Sequence, residues 1–365
     1  MSNLKFSKSL PDGFFRTLNS RVNQYFQTNS LSRTGNLRMY TKSAVFFGLY
    51  FIPLAMILAG LLTGWWAVLA YLLMGMGMSG IGLCIMHDAN HGSYSTNKFV
   101  NRILSYSLNA VGGSAFTWKI QHNVLHHTYT NMYEIDEDID DKPFLRLSPH
   151  GKWKRYHRFQ HVYALFIYSL ATVSWVFYKD FKQLVNYNRE GLTLKNGFHP
   201  TKESVKMILG KCLYVFVVIG LPIFLGVAWY IVLLGFMLMH FFAGVYITTI
   251  FQLAHVVEGP EHHHAAANQT GSVENTWAIH QLLTTANFST QSKFVTWISG
   301  GLNHQIEHHL FPNICHIHYP QIAKIVRQTV AEFGLPYYEH KKLVLAIQSH
   351  LQVLKQFGQA GVAVG

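Results

Sequence analysis

Residues 44–62 and 65–86 carry no charged side chain, and only Thr63-Gly64 lies between them. At 1.5 Å of rise per residue, each run is close to the ~20 residues that cross the ~30 Å hydrocarbon core of a bilayer as a helix. Such a pair predicts a helical hairpin through a membrane, where every peptide group must find its hydrogen bond inside the protein. A second pair follows at 207–226 and 228–251, with Lys211 near its entry and His240 at depth, where an interhelical hydrogen bond is expected. Pro53 and Pro222 predict kinks, tolerated where neighbours re-satisfy the freed carbonyls. The fold class expected is an all-α integral membrane protein with four transmembrane helices in two hairpins.

Two further segments are apolar but interrupted. Residues 163–178 would make a fifth crossing, which would set residues 179–206 on the opposite face from residues 87–160. That loop carries Lys179, Lys182, Arg189, Lys195, Lys202 and Lys206, the mark of a cytoplasmic loop. We read 163–178 as an in-plane or half-buried helix, and likewise 100–118, which is broken by Asn101, Arg102, Asn109 and Gly112-Gly113. Both termini, the loop 87–206 and the tail 252–365 then share the cytoplasmic face. The formal charge of +12 belongs to those loops and implies no nucleic acid partner. Charged residues make up only 13% of the chain, about half the usual ~25%, which argues against an ordinary soluble enzyme. Cys84, Cys212 and Cys315, odd in number and widely spaced, exclude a disulfide framework.

Residues 1–43 are basic, with no apolar core of the kind a cleaved signal carries. Phe14, Phe15, Leu18, Val22 and Phe26 recur there at helical spacing and predict an amphipathic helix packed on the membrane face. We find no internal repeat, low-complexity tract or long linker. The expected organisation is this basic segment, one domain over 44–340 and a tail over 341–365.

The chain has 22 histidines, and they are bunched. The second apolar run ends in His87-Asp88-Ala89-Asn90-His91, where positions i and i+4 of a continuing helix aim two imidazoles at one metal. Next come His122, His126 and His127, the third of them about 100° round the helix, a direction that lets one helix serve two metals. After the second apolar pair, His304-Gln305-Ile306-Glu307-His308-His309 repeats the same HxxxHH spacing. A lone HxxxH pair is more often two surface histidines. Three clusters at related spacing on one side of a membrane are a metal centre. There are too many ligands for one structural zinc, and neutral imidazoles suit a pair of first-row metals, iron where the chemistry is that of oxygen.

These residues carry a family resemblance. Three histidine clusters around two transmembrane hairpins look like the membrane-bound fatty acid desaturases. The stretches 87–93 (HDANHGS), 118–131 (WKIQHNVLHHTYTN), 277–288 (WAIHQLLTTANF) and 300–320 (GGLNHQIEHHLFPNICHIHYP) are closer still. They resemble the front-end branch, particularly cyanobacterial Δ6 acyl-lipid desaturases and bacterial linoleoyl-CoA desaturase-like proteins, over residues 10 to 340. That resemblance implies a helical cytoplasmic cap with two non-haem iron ions held by His87, His91, His122, His126, His127, His308 and His309. It adds His255, in the stretch 252–258 (QLAHVVE), as an eighth ligand that spacing does not reveal. In the front-end branch glutamine replaces the first histidine of the third cluster, here Gln305. Spacing instead makes His304 the twin of His122, and the side chains at 304 and 305 point about 100° apart on a helix, so the two compete for the metal. Asp88, Asn90, Asn303 and Glu307 are further site candidates, holding ligand N–H groups. The acidic run 134–141 is expected to be a solvated loop that also offers partners for histidine N–H groups. His262, His263 and His264 follow Gly259-Pro260 and are expected to face solvent.

The implied reaction removes two neighbouring hydrogens from an unactivated acyl chain, leaving a cis double bond, with O₂ as co-substrate and two electrons from outside. The implied substrate is an acyl-CoA or acyl-lipid carrying an unsaturated C18 chain such as linoleoyl, desaturated at Δ6. A Δ5, Δ8 or Δ9 desaturase, or a di-iron hydroxylase of lipids, is the alternative. A membrane metal transporter is the non-enzymatic rival, but it would line a path within the spans with ligands, and only His240 lies deep in one. The chain shows no HPGG haem motif, no nucleotide-binding GxGxxG and no iron–sulfur cysteine spacing. The expected electron donor is a separate ferredoxin, or cytochrome b5 with its reductase, and the expected location is a bacterial inner membrane.

Overall fold

The computed structural model describes residues 4–7, 13–140, 142–265, 272–273 and 275–361. Parts of the expected basic segment 1–43 and of the tail 341–365 therefore lie outside the described residues, as does Asp141 of the acidic run. Four helices are long and apolar enough to cross a membrane: Leu37–Leu58, Gly64–Asn90, Pro200–Phe224 and Trp229–His255. Each outruns its uncharged core. Asn36 starts the first by accepting from the Arg38 N–H at 3.0 Å, a side-chain cap. Pro200 starts the third, where its missing N–H costs nothing. The second continues through His87 to Asn90 and the fourth ends on His255, so two spans carry histidines at their polar ends.

The chain forms two compact units. One comprises residues 35–120 and 165–249 and contains most of the four spans. In it the second span approaches its neighbours at glycine: a Cβ on Gly77 would lie 2.6 Å from the backbone nitrogen of Tyr50 in the first span, and one on Gly75 2.8 Å from the carbonyl of Met239 in the fourth. Gly75, Gly77 and Gly80 formally match a GxGxxG, but they sit mid-helix, where they permit close packing and cradle no phosphate. Trp65, Trp66, Trp229 and Tyr230 are exposed beside the two short turns, and Trp65 and Tyr230 line one shallow surface pocket with Thr63 and Gly226. Such aromatic clusters mark a membrane–water boundary.

Two deep polar side chains of this unit, His240 and Lys211, have their partners. His240 meets the Tyr214 hydroxyl at 2.7 Å and the Thr172 hydroxyl at 3.0 Å, as expected for its depth. The Lys211 ammonium donates to Asp180 at 2.7 Å, to the Trp175 carbonyl at 2.8 Å and to the Gly112 carbonyl at 2.9 Å, which uses all three of its protons. The segment 100–118 breaks into short helices, Lys98–Ser105, Ser107–Ala110 and Ala115–Trp118, none of spanning length. The helices Arg155–Ser169 and Ala171–Arg189 bend by 55° across their break, a broken fifth span or a re-entrant pair by composition. Phe159, Val162 and Phe166 are exposed along the first of them.

The second unit comprises Met1–Thr34, Gln121–Ala164 and Ile250–Gly365. The helix Gly13–Thr28 does bury Phe14, Leu18, Val22 and Phe26, but not on a membrane face. That apolar stripe packs on Ile306, Leu310 and Phe311 of the third histidine cluster and on Ile322 and Val326 of the helix Tyr319–Glu332. Arg21 fixes the pairing through Glu332 at 2.7 Å and Thr329 at 3.0 Å. A short parallel pair, Ala286–Phe288 with Tyr338–His340, lies beside the same cluster.

Candidate metal centre

The second cluster does not sit on a regular α-helix. Residues Lys119–His126 wind as a π-helix, and the His127 N–H bonds back to the His122 carbonyl at 3.0 Å. The i→i+5 turn brings His122 and His127 together, their Nε2 atoms 3.2 Å apart, where the α-helical expectation pairs His122 with His126. Wide turns of this kind recur at functional sites because the extra residue redirects side chains. A similar stretch, Ile81–Met86, precedes the first cluster. There the His87 and His91 rings lie 4.8 Å apart, and Trp118 flanks them at 5.5 and 6.0 Å.

The third cluster is a six-residue helix, Gln305–Leu310, buried along its whole length. A helix that short cannot hold itself, and its neighbours hold it. Asn287 Oδ1 accepts from the Ile306 N–H at 2.9 Å, capping one of the donors a helix N-terminus leaves open. The Asn287 amide donates to Glu307 at 2.8 Å and to the Tyr337 hydroxyl at 2.7 Å, and that hydroxyl lies 3.1 Å from the other Glu307 oxygen.

Within the second unit the histidines converge. One ring nitrogen each from His126, His255 and His309 lies within 4.8 Å of the others, and the same holds for His127, His308 and His309. The His127 and His308 Nε2 atoms are 3.0 Å apart. The far sides of these rings are engaged. His126 Nδ1 meets Asp136 at 2.9 Å, His255 Nδ1 meets the Thr284 carbonyl at 3.2 Å, His309 Nδ1 meets Gln281 Oε1 at 2.8 Å and His308 Nδ1 meets the Tyr319 hydroxyl at 3.1 Å. An acceptor on Nδ1 fixes the proton there and leaves Nε2 with a lone pair. The Nε2 atoms of His126 and His255 are buried with no hydrogen-bond partner among the described residues, a costly arrangement in an apolar interior. Buried, converging, unprotonated imidazole nitrogens fit a first-row metal ion.

Burial disfavours a charge on His126, yet the Asp136 carboxylate outweighs it and holds this histidine above its ordinary value. Asp136, despite its own burial, is held below the usual carboxylate range. His280 lies beside the centre with its Nε2 2.9 Å from the Thr130 carbonyl, and burial pushes it down to about 3.

The remaining candidates divide. Asp88 is buried, with a carboxylate oxygen 3.8 Å from His87 Nδ1, beyond a hydrogen bond. Asn90 is half-buried at the end of its helix. Glu307 turns to Asn287 and Tyr337 and not to a ligand histidine. Asn303 is committed to its own loop, donating to the Thr296 hydroxyl at 3.0 Å and the Ser289 carbonyl at 3.3 Å. His304 falls in no convergent group among the described residues, and its Nδ1 lies 3.7 Å from Glu307. Gln305 is buried, its Oε1 without a partner among the described residues.

Two expectations are corrected. Asp136 is fully buried and not part of a solvated loop, because its oxygens accept from His126 and from the backbone N–H groups of Asn131 and Asp138. His262, His263 and His264 are half-buried, because His263–His264 pairs as a strand with Met132–Tyr133. Sequence reasoning missed Gln281, Thr284 and Tyr319 as partners of ligand histidines. The one signal for the first two was their place in the stretch 277–288 that resembles the desaturases.

A family model described as fatty acid desaturase matches residues 63–341. The chain is 36% identical over 348 residues to the sn-1 linoleoyl-lipid 6-desaturase of Synechocystis sp., an alignment covering 95% of this chain and 96% of the relative. It is 33% identical to the protein of the same name from Arthrospira platensis, with 97% and 95% covered. It is 32% identical to the acyl-lipid (8-3)-desaturase of Physcomitrium patens, with 97% and 74% covered. The convergent imidazoles, the four membrane-length helices and this near full-length similarity together establish the chain as a member of the fatty acid desaturase family.

Proposed function

We propose that this chain is a front-end desaturase that introduces a cis double bond at Δ6 into an unsaturated C18 acyl chain such as linoleoyl. The near full-length similarity to two linoleoyl-lipid 6-desaturases carries this reading, and those names favour a glycerolipid-bound acyl chain over an acyl-CoA. The four spans form two hairpins, with the termini and the histidine clusters on the cytoplasmic side of a bacterial inner membrane. The paired aromatic turns support the hairpins, and the basic residues of 179–206 support the sidedness. The bent pair 155–189 lies in the membrane plane.

His87, His91, His122, His126, His127, His255, His308 and His309 hold two iron ions, with Gln305 beside the metal and His304 behind it. When bound, the irons supply the oxidising power that O₂ and two electrons generate, enough to break an unactivated C–H bond. The protein does the rest. Asp136, Thr284 and Gln281 keep protons on the Nδ1 atoms of His126, His255 and His309, so those ligand nitrogens stay unprotonated. The buried setting of the clusters excludes water, which protects the acyl chain from side reactions. The electrons come from a separate carrier, a ferredoxin or cytochrome b5 with its reductase, and the basic loops suit an acidic one.

The test is fatty-acid analysis by gas chromatography–mass spectrometry, in a host lacking the activity, fed linoleate and co-expressing an electron donor. A C18 triene with its added bond at Δ6, absent with His308→Ala, is the expected product. A bond at another position sinks the Δ6 assignment, and a hydroxylated chain sinks the desaturase reading.

A further inference from the structure

His126, His255 and His309 bring ring nitrogens to one point, and their Nδ1 acceptors differ in kind. Asp136 gives His126 a full negative charge at 2.9 Å. Thr284 gives His255 a backbone carbonyl, and Gln281 gives His309 a neutral amide oxygen. Charge on the acceptor matters, because it passes through the imidazole to the metal and makes the ligand a stronger donor.

Gln281 is the informative case. It is fully buried, and its Oε1 lies 2.8 Å from both His309 Nδ1 and the Thr130 hydroxyl. Thr130 in turn bonds to the His126 carbonyl at 2.7 Å, so Gln281 ties the third cluster to the second. The opposite amide orientation would aim an N–H at His309 Nδ1, force the ring proton onto Nε2 and close that nitrogen to a metal. With Oε1 on the histidine, the Nε2 of Gln281 is left buried with no partner among the described residues, an uncompensated desolvation. A glutamate would accept from His309 equally well and leave no orphaned N–H. The chain carries the amide and its cost.

We infer that Gln281 is a positioning residue of the metal centre, one that fixes His309 with its Nε2 open to the metal while placing no negative charge behind that ligand. An iron with one carboxylate-backed ligand is more oxidising than an iron with two. The inference rests on the di-iron reading above.

The experiment compares wild type, Gln281→Leu and Gln281→Glu, each purified in detergent. The readouts are iron per chain after chelator challenge, the Mössbauer spectrum of ⁵⁷Fe-loaded protein and the reduction potential by spectroelectrochemical titration. Gln281→Leu should hold iron about 10–100-fold more weakly. Gln281→Glu should keep its iron, show a shifted quadrupole doublet and titrate at a more negative potential, with kcat falling more than KM changes. If the leucine variant fails to fold, the isosteric glutamate variant decides alone through its potential. Iron retention at the wild-type level in a folded Gln281→Leu, or an unshifted potential in Gln281→Glu, overturns the inference. Wild-type protein that carries no iron overturns the di-iron reading itself, and the inference with it.

Discussion

Asp136 and His126, ten residues apart in sequence, meet at 2.9 Å with both side chains fully buried. The contact leaves His126 Nε2 on the side of the ring that faces His255 and His309, and the backbone N–H groups of Asn131 and Asp138 hold the carboxylate in place. Asp136→Asn preserves the shape but removes the charge. We expect iron affinity to fall about 10–100-fold, read as iron per chain after dialysis against a chelator, and the melting temperature of the iron-free protein to fall as well, because an amide keeps only one of the two accepting oxygens that face Asn131 and Asp138. Full iron retention would exclude this role.

The ring of Asn287, Glu307 and Tyr337 should behave as a unit. Tyr337→Phe removes one hydrogen bond, and we expect a loss of about 1 kcal/mol. Asn287→Asp sets a second carboxylate 2.8 Å from Glu307 and should cost more, together with most of the bound iron, because the third cluster loses its anchor. Combining it with Glu307→Gln restores a donor opposite an acceptor. The double variant should regain iron and melting temperature over Asn287→Asp alone, and a double variant no better than the single would refute the coupling.

Lys211 and Asp180 form a buried ion pair whose ammonium has all its protons placed. Lys211→Met leaves a buried carboxylate that keeps the Thr117 hydroxyl at 3.2 Å but loses its ion-pair partner. Breaking such a pair costs about 3–5 kcal/mol. The melting temperature in detergent should drop sharply for Lys211→Met and recover in part when Asp180→Asn is added.

Most of the architecture was legible because the bilayer imposes it. An uncharged run of twenty residues has few alternatives, and HxxxH at the end of such a run is a geometric statement about one helix face. The failures share a cause. Local periodicity shows that Phe14, Leu18, Val22 and Phe26 form a face, but it does not say what covers that face, and protein took the place assigned to lipid. The α-helical period pairs His122 with His126, whose rings do stack at 5.3 Å, but it does not foresee that a wide turn brings His127 against His122 as well. Asp136 sits in an acidic run that reads as solvated. Only the fold brings that carboxylate onto a buried imidazole, and His255 was visible through family resemblance alone.

Acid should destabilise the fold through its buried neutral histidines, and His350 offers the cleanest test because it lies in the C-terminal helix Leu343–Phe357, outside the histidine clusters. Its Nδ1 meets the Val256 carbonyl at 2.7 Å, and burial pushes it down to about 4 from an ordinary 6.5. The unfolded chain therefore takes up the proton first as pH falls. The stabilisation is complete above pH 6.5 and is lost progressively between pH 6.5 and about 4, reaching about 2 kcal/mol at pH 5. His350→Gln keeps an N–H for the Val256 carbonyl and removes the titration. Its melting temperature should fall less between pH 7 and pH 5 than that of the wild type, and parallel curves for the two proteins would exclude His350 as a source of the acid sensitivity.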